Sequence, residues 1–179
     1  MRVIAGRAKG RRLSGPRGRG TRPSSELVRG AIFSALASLG ADLSRVLDLY
    51  AGTGALGIEA LSRGAEWCDF VEKDARACAA IRENLSRTGF AERAGVHCAP
   101  VERALDRLEG TYTLVLADPP YASEASGVLE RLLASPQVEP GRTVLVLEHG
   151  AREEQPQQLG ALSLASRRRH GDTAVSIYR

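Results

Sequence analysis

Asp48-Leu49-Tyr50-Ala51-Gly52-Thr53-Gly54-Ala55-Leu56-Gly57 reads as the end of a buried strand, a glycine loop and the start of a helix. The apolar run Val46 to Tyr50 has the length of a strand, and the helix from Ala55 to Ser62 is stopped by Gly64. Gly52 and Gly54 permit a tight turn and a close backbone approach, with the amide dipoles of the helix aimed at whatever binds. A strand–glycine loop–helix unit is the opening of a Rossmann-like α/β fold.

Working outward, the same alternation repeats. The pattern predicts strands at Trp67 to Glu72, Gly95 to Ala99, Thr113 to Ala117 and Arg142 to Glu148. Between them it predicts helices at Ala75 to Arg87, from about Pro100 through Leu108, and at Ser123 to Ala134. Strands that are apolar throughout imply a mostly parallel sheet with helices on both faces. The alternation breaks at the end. Ala161 to Arg168 and Thr173 to Tyr178 read as strands joined at the hairpin signal Gly171-Asp172. The expected fold is a seven-stranded sheet closed by a C-terminal antiparallel hairpin. Its main domain spans 23–179, with an N-terminal helix over 24–39, a cofactor half over 45–110 and a closing half over 111–179. Serines at 24 and 25 are available as N-cap for the first helix.

Gly52-x-Gly54-x-x-Gly57 satisfies the dinucleotide fingerprint, which alone does not separate a nicotinamide cofactor from S-adenosylmethionine. Asp48 favours the latter, because its charge repels a pyrophosphate and suits the ammonium of a methionine moiety. Glu72, about twenty residues beyond Gly52, is placed to accept ribose hydroxyls.

Asp118-Pro119-Pro120-Tyr121 ends the fourth predicted strand. An exocyclic base amine is a poor nucleophile because its lone pair is delocalised into the ring. The Asp118 carboxylate and Pro119 carbonyl are acceptors for its N–H groups. Pro120 stiffens the turn, and Tyr121 offers a face for stacking on the base, worth roughly 1–3 kcal/mol. An ionised carboxylate only accepts, and guanine presents two donors side by side, N1–H and the N2 amine. Adenine and cytosine put a ring acceptor beside the amine. The alternatives kept open are an adenine-N6 or cytosine-N4 methyltransferase on another RNA or DNA, and a non-catalytic RNA-binding assembly factor. Reaction with a base requires it out of its stack.

The 179 residues are 43% hydrophobic and 4% aromatic, enough for one domain with an aliphatic core. No apolar run approaches a membrane span and no signal core follows the N-terminus, so a cytoplasmic protein is expected. Cys68, Cys78 and Cys98 are odd in number and widely spaced, which argues against a disulfide framework and a zinc site. No metal is expected, and a monomer is. Nine cations against Glu26 alone give residues 1 to 30 a charge of +8, so the overall +4 leaves −4 for the rest. A basic N-terminal arm or β-hairpin over 1–22 is the footprint of a polyanion binder. Its candidate RNA contacts are Arg2, Arg7, Lys9, Arg11, Arg12 and Arg22.

These residues resemble one family across nearly the whole chain. It is the RsmD-like family of bacterial methyltransferases that modify the N2 amine of one guanine in small-subunit (16S) ribosomal RNA. The features that carry the resemblance begin with Arg2-Val3-Ile4-Ala5-Gly6, Arg11-Arg12-Leu13 and Arg22-Pro23-Ser24. They continue with Leu47 through Ala65, Asp118-Pro119-Pro120-Tyr121 and His170-Gly171-Asp172-Thr173. The resemblance implies an S-adenosylmethionine site at Asp48, Tyr50, Ala51, Gly52, Thr53, Gly54, Glu72, Lys73 and Val101. It implies that Asp118, Pro119, Pro120 and Tyr121 hold the guanine. The implied partner is small-subunit rRNA in an assembled or assembling 30S particle. Where the family shows Gly-Asp-Ala after the third strand, this chain has His97-Cys98-Ala99-Pro100-Val101. Adenine recognition is then expected from backbone groups near Ala99 to Val101.

Overall fold

The computed structural model describes residues 1–15, 26–119 and 122–179, the side chains of residues 122–125 excepted. Arg22, Pro120, Tyr121 and the serines offered as N-cap lie outside them. Helix α1 (Glu26–Ser38) leads into an α/β alternation. In order come β1 (Arg45–Leu49), α2 (Ala55–Ser62), β2 (Trp67–Glu72), α3 (Ala75–Thr88), β3 (Ala94–Cys98), α4 (Val101–Ala104), β4 (Leu114–Ala117) and α5 (Ala122–Leu133). The chain ends in β5 (Val144–Gly150), β6 (Gln158–Leu159), β7 (Leu162–His170) and β8 (Thr173–Tyr178).

The sheet runs β3-β2-β1-β4-β5-β8-β7-β6. The first five strands are parallel, while β8 is antiparallel to β5 and β7 to β8. Eight strands stand where seven are expected. The extra one is a two-residue strand, with Gln158 and Leu159 folding back at Gly160 onto Ser163 and Leu162. A strand that short carries no periodicity to read.

Three boundaries shift for local reasons. Thr143 is spent in the turn before β5, its hydroxyl donating to the Tyr112 carbonyl (2.7 Å) and accepting from Glu139 N–H (2.9 Å), so pairing starts at Val144. Helix α4 is cut to four residues, because its continuation tightens when Arg107 N–H reaches the Ala104 carbonyl. Helix α3 runs one residue past Arg87 to Thr88 and stops, as its sequence signals, at Gly89, whose φ of 80° gives a left-handed cap that residues with a Cβ adopt at a cost.

Two apolar clusters sandwich the sheet. On one side α1, α2 and α3 bury Ile32, Phe33, Ile58, Leu61 and Ile81 against Val46, Phe70 and Leu116. On the other, α4 and α5 bury Val101, Leu105, Leu129 and Leu132 against Leu47, Leu49 and Val115. Residues 1–15 join the first cluster through Val3, Ala8 and Leu13. Their expected two-strand pairing is reduced to one antiparallel bridge, Arg2 to Arg12. Side chains of α2 hold their backbone. Glu59, 1% exposed, accepts from Ile4 N–H (2.8 Å) and Ala5 N–H (3.0 Å), and Ser62 Oγ accepts from Ala8 N–H (3.0 Å).

Glu59→Ala would strand two partly buried backbone donors and unpair Arg63, whose Nε donates to Glu59 Oε1 (2.7 Å). The expected cost is about 2 kcal/mol of stability, read as a lower urea midpoint at unchanged m-value. A midpoint within error of the parent would show that these bonds contribute nothing net. Among the described residues no helix is long and apolar enough to cross a membrane.

Candidate active site

The sheet order reverses direction between β1 and β4, and the carboxyl ends of neighbouring strands open a crevice there. Three carboxylates gather at this edge. Asp48 leaves β1, Glu72 ends β2, and Asp118 follows β4. The register sets Leu49 beside both Val71 and Ala117, so the three strands end level.

Asp48 is 1% exposed, and its Oδ2 accepts the N–H of Gly57 in the first turn of α2 (2.8 Å). Burial pushes its carboxyl well above the ordinary range. The Gly57 bond offsets part of that, and the nearby charges of Asp118 and Glu72 push it further. A buried carboxylate facing two others is a site that wants a cation.

Glu72 fixes the glycine loop. Its Oε2 accepts from Gly52 N–H and its Oε1 from Asp74 N–H, both at 2.8 Å. Each oxygen keeps a lone pair for a ligand hydroxyl. Tyr50 has φ of 57°, a left-handed conformation that a residue with a Cβ adopts at a cost. It turns the chain out of β1 so that Ala51 N–H can reach the Val71 carbonyl (3.0 Å).

The loop glycines do different jobs. Gly52 needs its φ of 54°, since a Cβ there would meet only the Tyr50 carbonyl at 4.0 Å. Gly57 is a packing residue. A Cβ on it would come within 2.3 Å of the Phe70 ring and 2.7 Å of Cys68 Sγ, so α2 sits directly on β2. Helix α2 begins at Gly54 with no side-chain cap, leaving its N-terminus open to an acceptor group. Thr53 is buried, Lys73 exposed and Val101 4% exposed in the first turn of α4. After β4, Asp118 is half-buried and Pro119 buried.

Asn84 of α3 was not singled out by sequence pattern. It is fully buried, and its amide donates to the Thr53 carbonyl (3.1 Å) and the Ser14 carbonyl (2.8 Å). Its Oδ1 accepts from Ser14 N–H (2.8 Å). One side chain therefore ties the glycine loop to the basic N-terminal segment. A buried amide inside an amphipathic helix was the available signal, and only contact gives it meaning.

In that segment Arg7, Lys9 and Arg12 are exposed. Arg2 pairs with Glu26 (3.2 Å), and Arg11 donates to the Arg87 carbonyl (2.6 Å).

The family model described as conserved hypothetical protein 95 matches residues 1–179. YlbH of Bacillus subtilis (strain 168), whose name provisionally assigns it to the rRNA methyltransferases, is 37% identical over 182 residues, covering 100% of this chain and 98% of its own. Ribosomal RNA small subunit methyltransferase D of Escherichia coli (strain K12) is 35% identical over 133 residues, which are 74% of this chain and 65% of that relative. Among solved structures, yhhF from Escherichia coli, provisionally described as a methyltransferase, superposes with a TM-score of 0.86. It is 28% identical, with 99% of this chain and 96% of that one covered.

Proposed function

The chain belongs to the family described as conserved hypothetical protein 95, and from that premise we propose that it transfers a methyl group from S-adenosylmethionine to the N2 amine of a guanine in small-subunit (16S) ribosomal RNA. The observation that carries this reading is the convergence of Asp48, Glu72 and Asp118 on one crevice. S-adenosylmethionine carries an ammonium, a sulfonium, a carboxylate and two ribose hydroxyls, and it supplies a methyl activated on sulfonium. Asp48 suits its ammonium, Glu72 its hydroxyls, and the α2 N-terminus its carboxylate. Tyr50, Ala51, Gly52, Thr53 and Gly54 form the wall, with Lys73 and Val101 at the adenosine end.

Asp118 lies across the crevice from Asp48. Its carboxylate accepts from N1–H and N2–H of guanine, and Pro119 contributes its carbonyl. The two bonds from the N2 amine, to Asp118 and to the Pro119 carbonyl, favour a pyramidal nitrogen with an available lone pair. Positioning then supplies most of the acceleration. Pro120 and Tyr121 complete the proposed base site.

The relatives named for rRNA methylation support rRNA as the substrate. Arg7, Lys9 and Arg12 are the proposed phosphate contacts, with Arg2, Arg11 and Arg22 beside them in sequence. An assembled or assembling 30S particle in the cytoplasm is the proposed partner, met by a monomer. Incubating the purified chain with methyl-labelled cofactor and total cellular RNA, then separating the RNA species, tests the substrate. Label in small-subunit rRNA is expected, and label confined to large-subunit or transfer RNA would overturn the reading.

Replacing Arg7, Lys9 and Arg12 with Ala should weaken RNA binding and flatten the slope of log affinity against log salt by about 2–3. An unchanged slope would make the segment a bystander.

A further inference from the structure

We propose that Cys78 and Cys98 form a dithiol site that a peroxide closes to a disulfide, and that closure weakens cofactor binding at the adenosine end of the crevice. The location rests on the cofactor reading above, whereas the bond itself does not.

Cys98 is the last residue of β3 and pairs with Glu72, the last of β2. Neighbouring strands lie about 4.8 Å apart, and paired residues project to the same side. That side faces α3, because Phe70, two residues before Glu72, packs with Ile81. Cys78 lies on the buried face of α3, one turn in, and its Sγ donates to the Glu72 carbonyl (3.3 Å). Two residues twenty apart in sequence thus meet at Glu72, one beside it in the sheet and one hydrogen-bonded to its carbonyl.

The two thiols differ in access. Cys98 is exposed and Cys78 buried. Burial, reinforced by the Cys98 thiol, pushes Cys78 up to about 12, so it waits as a protonated thiol. Peroxide reaches Cys98 first. Its thiolate takes one oxygen, giving a sulfenic acid and hydroxide, and peroxide is reduced. Cys78 sulfur then attacks the Cys98 sulfur, and the sulfenic oxygen leaves as water with the thiol proton. Two thiols and one hydrogen peroxide yield one disulfide and two waters. Cys68 is buried beneath Gly57 and separate from this pair.

The consequence follows from what Glu72 holds. Its carbonyl accepts both the Cys78 thiol and Ala99 N–H (3.0 Å), and its carboxylate holds Gly52. A disulfide removes the thiol donor and tethers the turn from Cys98 to Val101 onto α3. Affinity for S-adenosylhomocysteine should fall about fivefold or more.

The test treats the full chain with stoichiometric hydrogen peroxide, blocks remaining thiols and maps linked peptides. Calorimetry with S-adenosylhomocysteine follows on reduced, oxidised and re-reduced protein. The expected result is a drop from three free thiols to one, a Cys78–Cys98 linked peptide and weaker binding restored by dithiothreitol. Cys98→Ser should keep Cys78 unlinked and lose the response. Over-oxidised Cys98 or cross-linked dimers with Cys78 still free would overturn the dithiol site. A linked pair with unchanged affinity would overturn the coupling. Reduced protein that binds no S-adenosylhomocysteine would overturn the cofactor reading instead, while the peptide map still decides the bond.

Discussion

Asp118→Ala should lower methyl transfer by about a hundredfold or more while leaving cofactor affinity within a few fold. The carboxylate follows β4, across the crevice from Asp48 and close enough to raise the Asp48 pKa. Removing it deletes the acceptor proposed for two guanine N–H groups but leaves the Glu72 and Gly57 bonds of the cofactor loop intact. Removing one of three clustered negative charges also relieves Asp48, so cofactor binding has no reason to collapse. Single-turnover rates at saturating RNA, beside calorimetry with S-adenosylhomocysteine, separate the two effects. Full turnover in the variant would remove Asp118 from the chemistry. Equal losses in rate and cofactor binding would make it a cofactor ligand.

Asp48→Asn should weaken cofactor binding by about ten- to a hundredfold without lowering stability at neutral pH. The amide oxygen can still accept Gly57 N–H, so the local geometry is kept. What disappears is a buried carboxyl group that has no ion pair among the described residues. Its raised pKa means the folded state holds the proton to higher pH than the unfolded chain does. Asp48 therefore favours folding most in acid, and that contribution is lost as pH rises through the folded-state value. The asparagine variant should lack that part of the decline, with a melting temperature at neutral pH equal to or above the parent. A lower melting temperature with unchanged cofactor affinity would make Asp48 a structural residue.

The parallel half of the fold was legible because its signals are local. Largely apolar strand runs and glycines at helix ends give α2 and β2 their full extents, and the turn signal Gly171-Asp172 sets the start of the antiparallel β8. The acidic crevice was legible for a related reason. Strand-end positions at the sheet's carboxyl edge converge whatever the packing details, so Asp48, Glu72 and Asp118 could be named from spacing. What escaped depends on contacts between distant segments. Glu59 reads as one charge in an apolar helix, yet it holds the backbone of Ile4 and Ala5. Asp69 interrupts the apolar run of β2. It is tolerated there because Trp67, Tyr112 and His97 hydrogen-bond to it, and against the opposing effect of burial those bonds hold its carboxyl below the usual range. Cys78 and Cys98 look scattered until the β2–β3 register brings them to one place. Gly57 reads as part of a ligand fingerprint, and its space is taken by Phe70.

The most direct measurement is the identity of the methylated nucleoside. Small ribosomal subunits and naked small-subunit RNA, both from a strain lacking this gene, would be incubated with the chain and labelled S-adenosylmethionine, then digested to nucleosides. N2-methylguanosine is the expected product, with the subunit the better substrate. Label in methylated adenosine or cytidine, or no transfer from a chain that binds the cofactor, would contradict the assignment of Asp118 to a guanine amine.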